Sequence, residues 1–315
     1  MLVACHEPSS GVLEGGPAPA PRAELGGDCH LESVDMPEGR NYLTMGLAPT
    51  LGGEQVMRQF IPIRDYLTST LGVDVRLEVT ADYETLIRKS INSEVDIALL
   101  PPYSYVQVTE KKPDIALLAS VLYLGRTRYS GFILVRSSDP AVSLKDLKDR
   151  RIAFVDEYST SGYLLPKHAL ESQGISIESG FSKVTFAGSH AAALDLLAKG
   201  DVDAAATSSE MLGLYRRKQL DSAKLQQPGQ VRILYKTGQL PYDALCATDA
   251  VPESARKKIA GAFLAMHNRN PSAQHALAAS VAITGWAPPD DSRYDAIRTV
   301  IQSPKPTTES DHVAE

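Results

Sequence analysis

Three consecutive hydroxyl residues and a glycine stand together in Asp156-Glu157-Tyr158-Ser159-Thr160-Ser161-Gly162-Tyr163, and Gly188-Ser189-His190 follows further along. The first run comes after an apolar strand-like stretch, 151–155, and leads into a helical pattern. The second opens another helical pattern, 191–199. Hydroxyls donate hydrogen bonds, glycine permits close approach, and the free N–H groups and dipole at a helix start favour negative charge. Two such helix starts converging on one oxyanion is the chemistry these residues suggest. Ser159, Thr160 and Ser161 also suit plain capping of orphan helix amides, and His190 suits the same duty. Pro166 sits where a helix interior tolerates it poorly. Either the regular helix starts near Pro166, or its first turn is irregular and leaves more amides free.

Ser161, His190 and Asp243 could be assembled into a hydrolytic triad, but the chain has no Gly-x-Ser-x-Gly elbow, and a triad is defined by contacts rather than by composition. The expectation is a binding protein without catalytic residues. The three cysteines, Cys5, Cys29 and Cys246, have no metal-ligand spacing, so no metal site or other cofactor is expected. A Cys29–Cys246 disulfide is not favoured.

The elements that must position these residues alternate between strand and helix. Strands are expected at 42–48, 73–79, 95–100, 115–123, 131–135, 151–155, 183–186, 202–206 and 231–235. Helices are expected at 54–70, 81–92, 103–110, 144–147, 166–173, 191–199, 211–218, 252–267, 273–281 and 294–302. The helix 54–70 carries Val56, Phe60, Ile63 and Leu67 on one face, with Pro62 expected to kink it. Such alternation gives open, mostly parallel sheets with helices on both faces, and ligands in such folds sit at strand ends beside helix N-termini. The chain of 315 residues is long enough for two lobes. Lobe one is assigned to 41–136 plus 231–303 and lobe two to 137–230, so the hinge crossings fall near 136–137 and 228–231.

Composition is that of a globular protein, 43% hydrophobic and 22% charged, with net charge −6. That balance speaks against nucleic acid as a partner. Apolar stretches are of strand length, too short to cross a bilayer. Leu2-Val3-Ala4-Cys5 has the form of a lipobox, preceded by too little chain for a complete signal peptide. Residues 1–40 therefore read as a lipobox remnant, with Cys5 as the lipidation site, and a flexible tether rich in Gly, Pro, Glu and Ser. Residues 304–315 read as a disordered tail.

The order and spacing of several short strings resemble the periplasmic phosphonate-binding protein family across about 42–302. These strings are Asp82-Tyr83, Val95-Asp96-Ile97-Ala98 before Pro101-Pro102-Tyr103, Ser159-Thr160-Ser161-Gly162, Gly188-Ser189-His190, Gly200-Asp201-Val202-Asp203-Ala204 and Leu240-Pro241-Tyr242-Asp243. The resemblance implies a two-lobed periplasmic binding protein of the type II-like α/β class, the solute receptor of an ABC importer. It implies ligand contacts from Ser159, Thr160, Ser161 and His190, and from Tyr83 and Tyr129 of the other lobe. It also sets Glu210 and Asp243 where two carboxylates meet the ammonium of 2-aminoethylphosphonate. Glu210 could equally be a first-turn acid favouring its helix dipole, and Asp243 a turn residue after Pro241. The partners implied are a phosphonate ligand, an ABC permease in the inner membrane, and the membrane itself through the N-terminal anchor. The protein is expected to be monomeric and extracytoplasmic or periplasmic. The alternatives are a phosphite or phosphate receptor, or a sensor ectodomain of the same fold.

Overall fold

The computed structural model describes Val34, Met36 and residues 40–221, 231–267, 269–279 and 283–303. Cys5, Cys29, most of the expected tether and the expected tail lie outside the described residues. The chain forms two sheets flanked by helices. In sheet one, β1 (Tyr42–Leu47), β2 (Asp74–Val79) and β3 (Ile97–Leu100) are joined through α1 (Gly53–Leu71) and α2 (Tyr83–Ile91). β1 pairs parallel with both β2 and β3. After α3 (Pro102–Lys111), β4 (Ala116–Tyr123) joins the same sheet, as do β10 (Ala244–Ala247) and β11 (Ile283–Ala287); the order is β11-β4-β10-β3-β1-β2.

Sheet two has the order β7-β6-β8-β5-β9. Its strands are β5 (Arg128–Arg136), β6 (Arg151–Phe154), β7 (Lys183–Phe186), β8 (Ala204–Ser208) and β9 (Val231–Pro241). Between them lie α4 (Leu165–Glu171), α5 (His190–Lys199) and α6 (Ser209–Asp221). Past β10 come α7 (Glu253–Ala265), α8 (Pro271–Ala279) and α9 (Asp295–Gln302). Pairing is parallel in the strand–helix–strand units of β6, β7 and β8 and antiparallel along β5 and β9.

The lobe boundaries differ from those expected. β5 and β9 belong to sheet two, paired from Arg128↔Pro241 to Arg136↔Val231. The chain therefore changes sheets between Tyr123 and Arg128 and again between Pro241 and Ala244, not near 136–137 and 228–231. Arg136-Ser137-Ser138-Asp139-Pro140 has a linker's composition but serves as a turn inside the second lobe. The main-chain pairing that gathers β5 and β9 has no local signature. The tether also ends earlier than read. Val34 is buried against the first core, and its N–H donates to the Leu71 carbonyl at 3.1 Å. Arg40 forms an ion pair with the buried Asp96 carboxylate, which also accepts from the Thr44 N–H at 2.7 Å.

α1 runs unbroken through Pro62 and buries Val56, Phe60, Ile63 and Leu67 as the periodicity requires. It ends at Gly72 in the left-handed conformation, φ 66°, which a glycine adopts without steric cost. β11 was not among the expected strands. It is short, holds Gly285, and its register against β4 shifts between Ile283 and Gly285, so no clean alternation marks it. Cys246 lies in β10 as a buried free thiol.

Candidate functional site

The turn after β6 resolves the difficulty set by Pro166. Residues 160–164 form a single π-helical turn and α4 begins only at Leu165, with Pro166 in its first turn. Leu165 N–H still donates to the Thr160 carbonyl, and Pro166, with no N–H to donate, follows where the wide turn gives way to the α-helix. Ser159 caps the turn, accepting from the Gly162 N–H at 3.1 Å. The wide turn is locked by Leu164 N–H donating to the Ser159 carbonyl at 2.9 Å. At its start, the amides of Thr160 and Ser161 have no intrahelical acceptor, as at any helix N-terminus.

Two glycines let this turn sit where it does. A Cβ on Gly162 would lie 2.4 Å from Val155 Cγ2 and 2.7 Å from Ser159 Oγ. A Cβ on Gly131 of β5 would lie 3.1 Å from the Ser161 carbonyl oxygen. Gly131 shares a strand face with Tyr129, so the missing Cβ brings the Ser161 turn against the strand that carries Tyr129.

A cavity of about 120 Å³ lies at this place, between the two sheets. Of the residues expected at the site, Tyr129, Ser161, His190, Glu210 and Asp243 line it. Tyr83, Ser159 and Thr160 do not. Tyr83 is buried at the first turn of α2, and its hydroxyl has no hydrogen-bond partner. The Thr160 hydroxyl accepts from the Tyr103 N–H at 2.8 Å, which ties the second lobe to the N-terminus of α3. Other hydrogen bonds between the lobes include Ser104 Oγ donating to the Tyr158 carbonyl at 3.3 Å and His190 N–H donating to the Thr50 carbonyl at 3.1 Å.

Sequence reasoning missed Thr50, Gln59, Tyr123, Ser208 and Tyr242, all polar residues of the wall. Tyr242 stands within the Leu-Pro-Tyr-Asp string, where its neighbour Asp243 drew attention instead. Its ring stacks on both Tyr129, centroids 4.9 Å apart, and Tyr123, 5.6 Å apart. Its hydroxyl donates to Glu210 Oε1 at 2.8 Å, and so does Ser209 Oγ. Glu210 Oε2 is buried without a partner.

Burial sets the protonation states. Desolvation and the charge of Glu210 push the Asp243 carboxyl up to about 7. Burial pushes the His190 imidazole down to about 4, so the ring is neutral at neutral pH. His190 Nδ1 lies 3.1 Å from the Thr207 hydroxyl. The ring nitrogen that a hydrolytic triad would pair with a carboxylate is paired with a hydroxyl, so the triad geometry is not formed. Burial raises the Tyr129 and Tyr242 phenols and lifts that of Tyr123 to about 12, which keeps all three as O–H donors. The wall therefore has a donor-rich part at Ser161, His190 and Tyr129, and an acidic part at Glu210 and Asp243. No group of three or more His, Cys, Asp or Glu among the described residues could hold a metal, and no described helix is long and apolar enough to cross a membrane.

Residues 45–294 match the family model described as "ABC transporter, phosphonate, periplasmic substrate-binding protein". The chain is 25% identical over 275 residues to the phosphate-import protein PhnD of Mycolicibacterium smegmatis, covering 82% of this chain and 84% of that protein. It is 24% identical over 255 residues to the phosphonates-binding periplasmic protein of Escherichia coli, covering 80% and 72%. Its fold is similar to that of PhnD1 from Prochlorococcus marinus, solved in complex with methylphosphonate, with a TM-score of 0.73, 20% identity, and coverage of 82% of this chain and 97% of that one. The two-lobed α/β architecture, the cavity between the sheets and a family match over most of the chain lead to one conclusion: this chain belongs to the periplasmic substrate-binding proteins of phosphonate ABC transporters, receptors that hold a small-molecule ligand for a membrane permease.

Proposed function

We propose that this receptor captures an aminoalkylphosphonate, 2-aminoethylphosphonate or a near analogue. The observation that carries this reading is the buried, unpartnered Oε2 of Glu210 in a wall it shares with Asp243, Ser161 and His190. A carboxylate oxygen removed from water needs a donor. Two carboxylates beside a bare dianion would repel it in a partly desolvated cleft; an ammonium group turns that repulsion into attraction and supplies the missing donors. The phosphonate end would be held by the Ser161 hydroxyl, the free amides at the start of the Thr160 turn, the His190 imidazole and the Tyr129 phenol. Ser159 and Thr160 lie outside the cavity wall and would act on the same anion through the turn that presents Ser161. Tyr83 would act from behind Ser159, as support.

The test compares wild type with Glu210→Gln and Asp243→Asn, each titrated with 2-aminoethylphosphonate and ethylphosphonate. Loss of a charge-assisted hydrogen bond costs roughly 1.5–3 kcal/mol, about 10- to 150-fold. The carboxamides should weaken the amine ligand by that factor and spare or improve ethylphosphonate. Equal treatment of both ligands would refute the amine reading.

A second reading is phosphate, the solute in the name of the Mycolicibacterium smegmatis relative. One feature favours it: a carboxyl titrating near 7, as Asp243 does, is protonated in much of the population and can donate to a phosphate oxygen. Tighter binding of phosphate than of 2-aminoethylphosphonate, kept in Asp243→Asn, whose amide still donates, and lost in Asp243→Ala, would favour this reading over the first.

We further propose that Cys5 is acylated and anchors a monomeric receptor at the membrane beside its permease. Cys5→Ser should then release the protein into the soluble extracytoplasmic fraction, and an unchanged membrane fraction would exclude the anchor.

A further inference from the structure

The cavity wall also carries apolar side chains beside the polar groups, among them Leu51, Val56, Phe60, Met211, Leu214 and Ile283. Val56 and Phe60 are one helical turn apart on α1, and Met211 and Leu214 one turn apart on α6, so each pair presents one face. The faces come from the two different lobes. Val56, Phe60 and Ile283 also serve the core of sheet one. Met211 and Leu214 do not have that second duty. They are half-buried and join none of the three hydrophobic cores, although Leu212 and Tyr215 of the same helix do. Two large apolar residues in the first turns of α6, directly beside Glu210, therefore face the cavity without a packing role elsewhere.

We infer that the ligand is an aminophosphonate with an apolar branch on its carbon skeleton, received between Val56 and Phe60 on one side and Met211 and Leu214 on the other. The inference rests on the aminophosphonate reading above and narrows it. 2-Aminoethylphosphonate has two carbons between two charged ends, and both ends are engaged by polar groups. It has nothing to set against this wall, which would stay in contact with water. A ligand of the form ⁺H₃N–CH(R)–CH₂–PO₃²⁻ keeps both ends and directs R at the apolar faces. Met211 suits a variable R, since its unbranched thioether side chain adapts to irregular shapes. The stacked rings of Tyr123, Tyr242 and Tyr129 form a flat side to the same space.

Calorimetric titration of the full chain with R as hydrogen, methyl, isobutyl and benzyl tests the inference. Each methylene buried is worth about fourfold in affinity, so the isobutyl ligand should bind at least about tenfold more tightly than the hydrogen one. Met211→Ser and Leu214→Ser, each shown to be folded by its melting transition, should bring that ratio to within about threefold of unity. Isobutyl binding no better than hydrogen in wild type, or a ratio that survives in both variants, would overturn the inference. If none of the four ligands binds, the aminophosphonate reading fails separately. Ethylphosphonate against pentylphosphonate then tests the wall: a preference for pentyl that Leu214→Ser removes supports it, and equal affinities overturn it.

Discussion

The Thr160 hydroxyl accepts a hydrogen bond from the backbone N–H of Tyr103 at 2.8 Å, across the line between the two lobes. Tyr103 is the second residue of α3, preceded by Pro102 in its first turn. Its amide is one of the orphan donors of a helix start, and the capping oxygen comes from the other lobe. Thr160 therefore ties the two lobes together beside the cavity that Ser161 lines.

This linkage predicts a graded series. Thr160→Ser keeps the hydroxyl and should bind within a few-fold of wild type. Thr160→Ala leaves the Tyr103 amide without its partner, at a cost of roughly 1–3 kcal/mol, or about 5- to 150-fold in affinity. Small-angle scattering should show the Ala variant more open than wild type even without ligand. A variant that stays closed and binds normally would show that the Tyr103 bond does not contribute to closure.

Gly131 is predicted to be a position where a single methyl group damages binding. Its Cβ would lie 3.1 Å from both the Ser161 carbonyl oxygen and Thr237 Oγ1. The Ser161 turn would have to retreat from β5. Gly131→Ala should cost about 1–3 kcal/mol of stability from overpacking and weaken ligand binding further. Unchanged affinity together with an unchanged melting temperature would show that the turn can yield at no cost.

The buried acid and imidazole predict opposite pH limbs. Asp243 titrates near 7 in the folded protein, against about 3.9 unfolded. The folded state holds the proton more tightly, so this contribution is present in full below about 4 and is lost as pH rises through about 7. His190 titrates near 4 folded, against about 6.5 unfolded. Its contribution is present above about 6.5 and is lost as pH falls through about 4. Thermal unfolding of ligand-free protein across this range should therefore lose its decline toward neutral pH in Asp243→Asn, and its decline toward acid in His190→Gln. A profile unaltered by either substitution would remove both groups as the source. In the proposed complex the ammonium favours ionised Asp243, so 2-aminoethylphosphonate should release protons at pH 7. Calorimetry in two buffers of different ionisation enthalpy measures this directly.

Much of this protein was legible in its residues taken in order. Strand–helix alternation follows from local periodicity, and local periodicity survives in a linear string. The hydroxyl run and Gly188-Ser189-His190 were visible as chemistry, the acidic pair only through the family resemblance, and Pro166 announced that the helix after β6 either starts late or starts irregularly. Tertiary structure decided three things. It moved β5 and β9 into sheet two, because main-chain pairing over the length of both strands carries no side-chain signature. It set Thr160 at the lobe junction rather than in the cavity wall, because one turn of helix aims neighbouring hydroxyls in different directions. It brought Tyr123, Tyr129 and Tyr242 into one stack and turned Met211 and Leu214 out of the cores. Those are contacts between segments far apart in the chain, and what a side chain touches across a cleft is set by how the lobes pack.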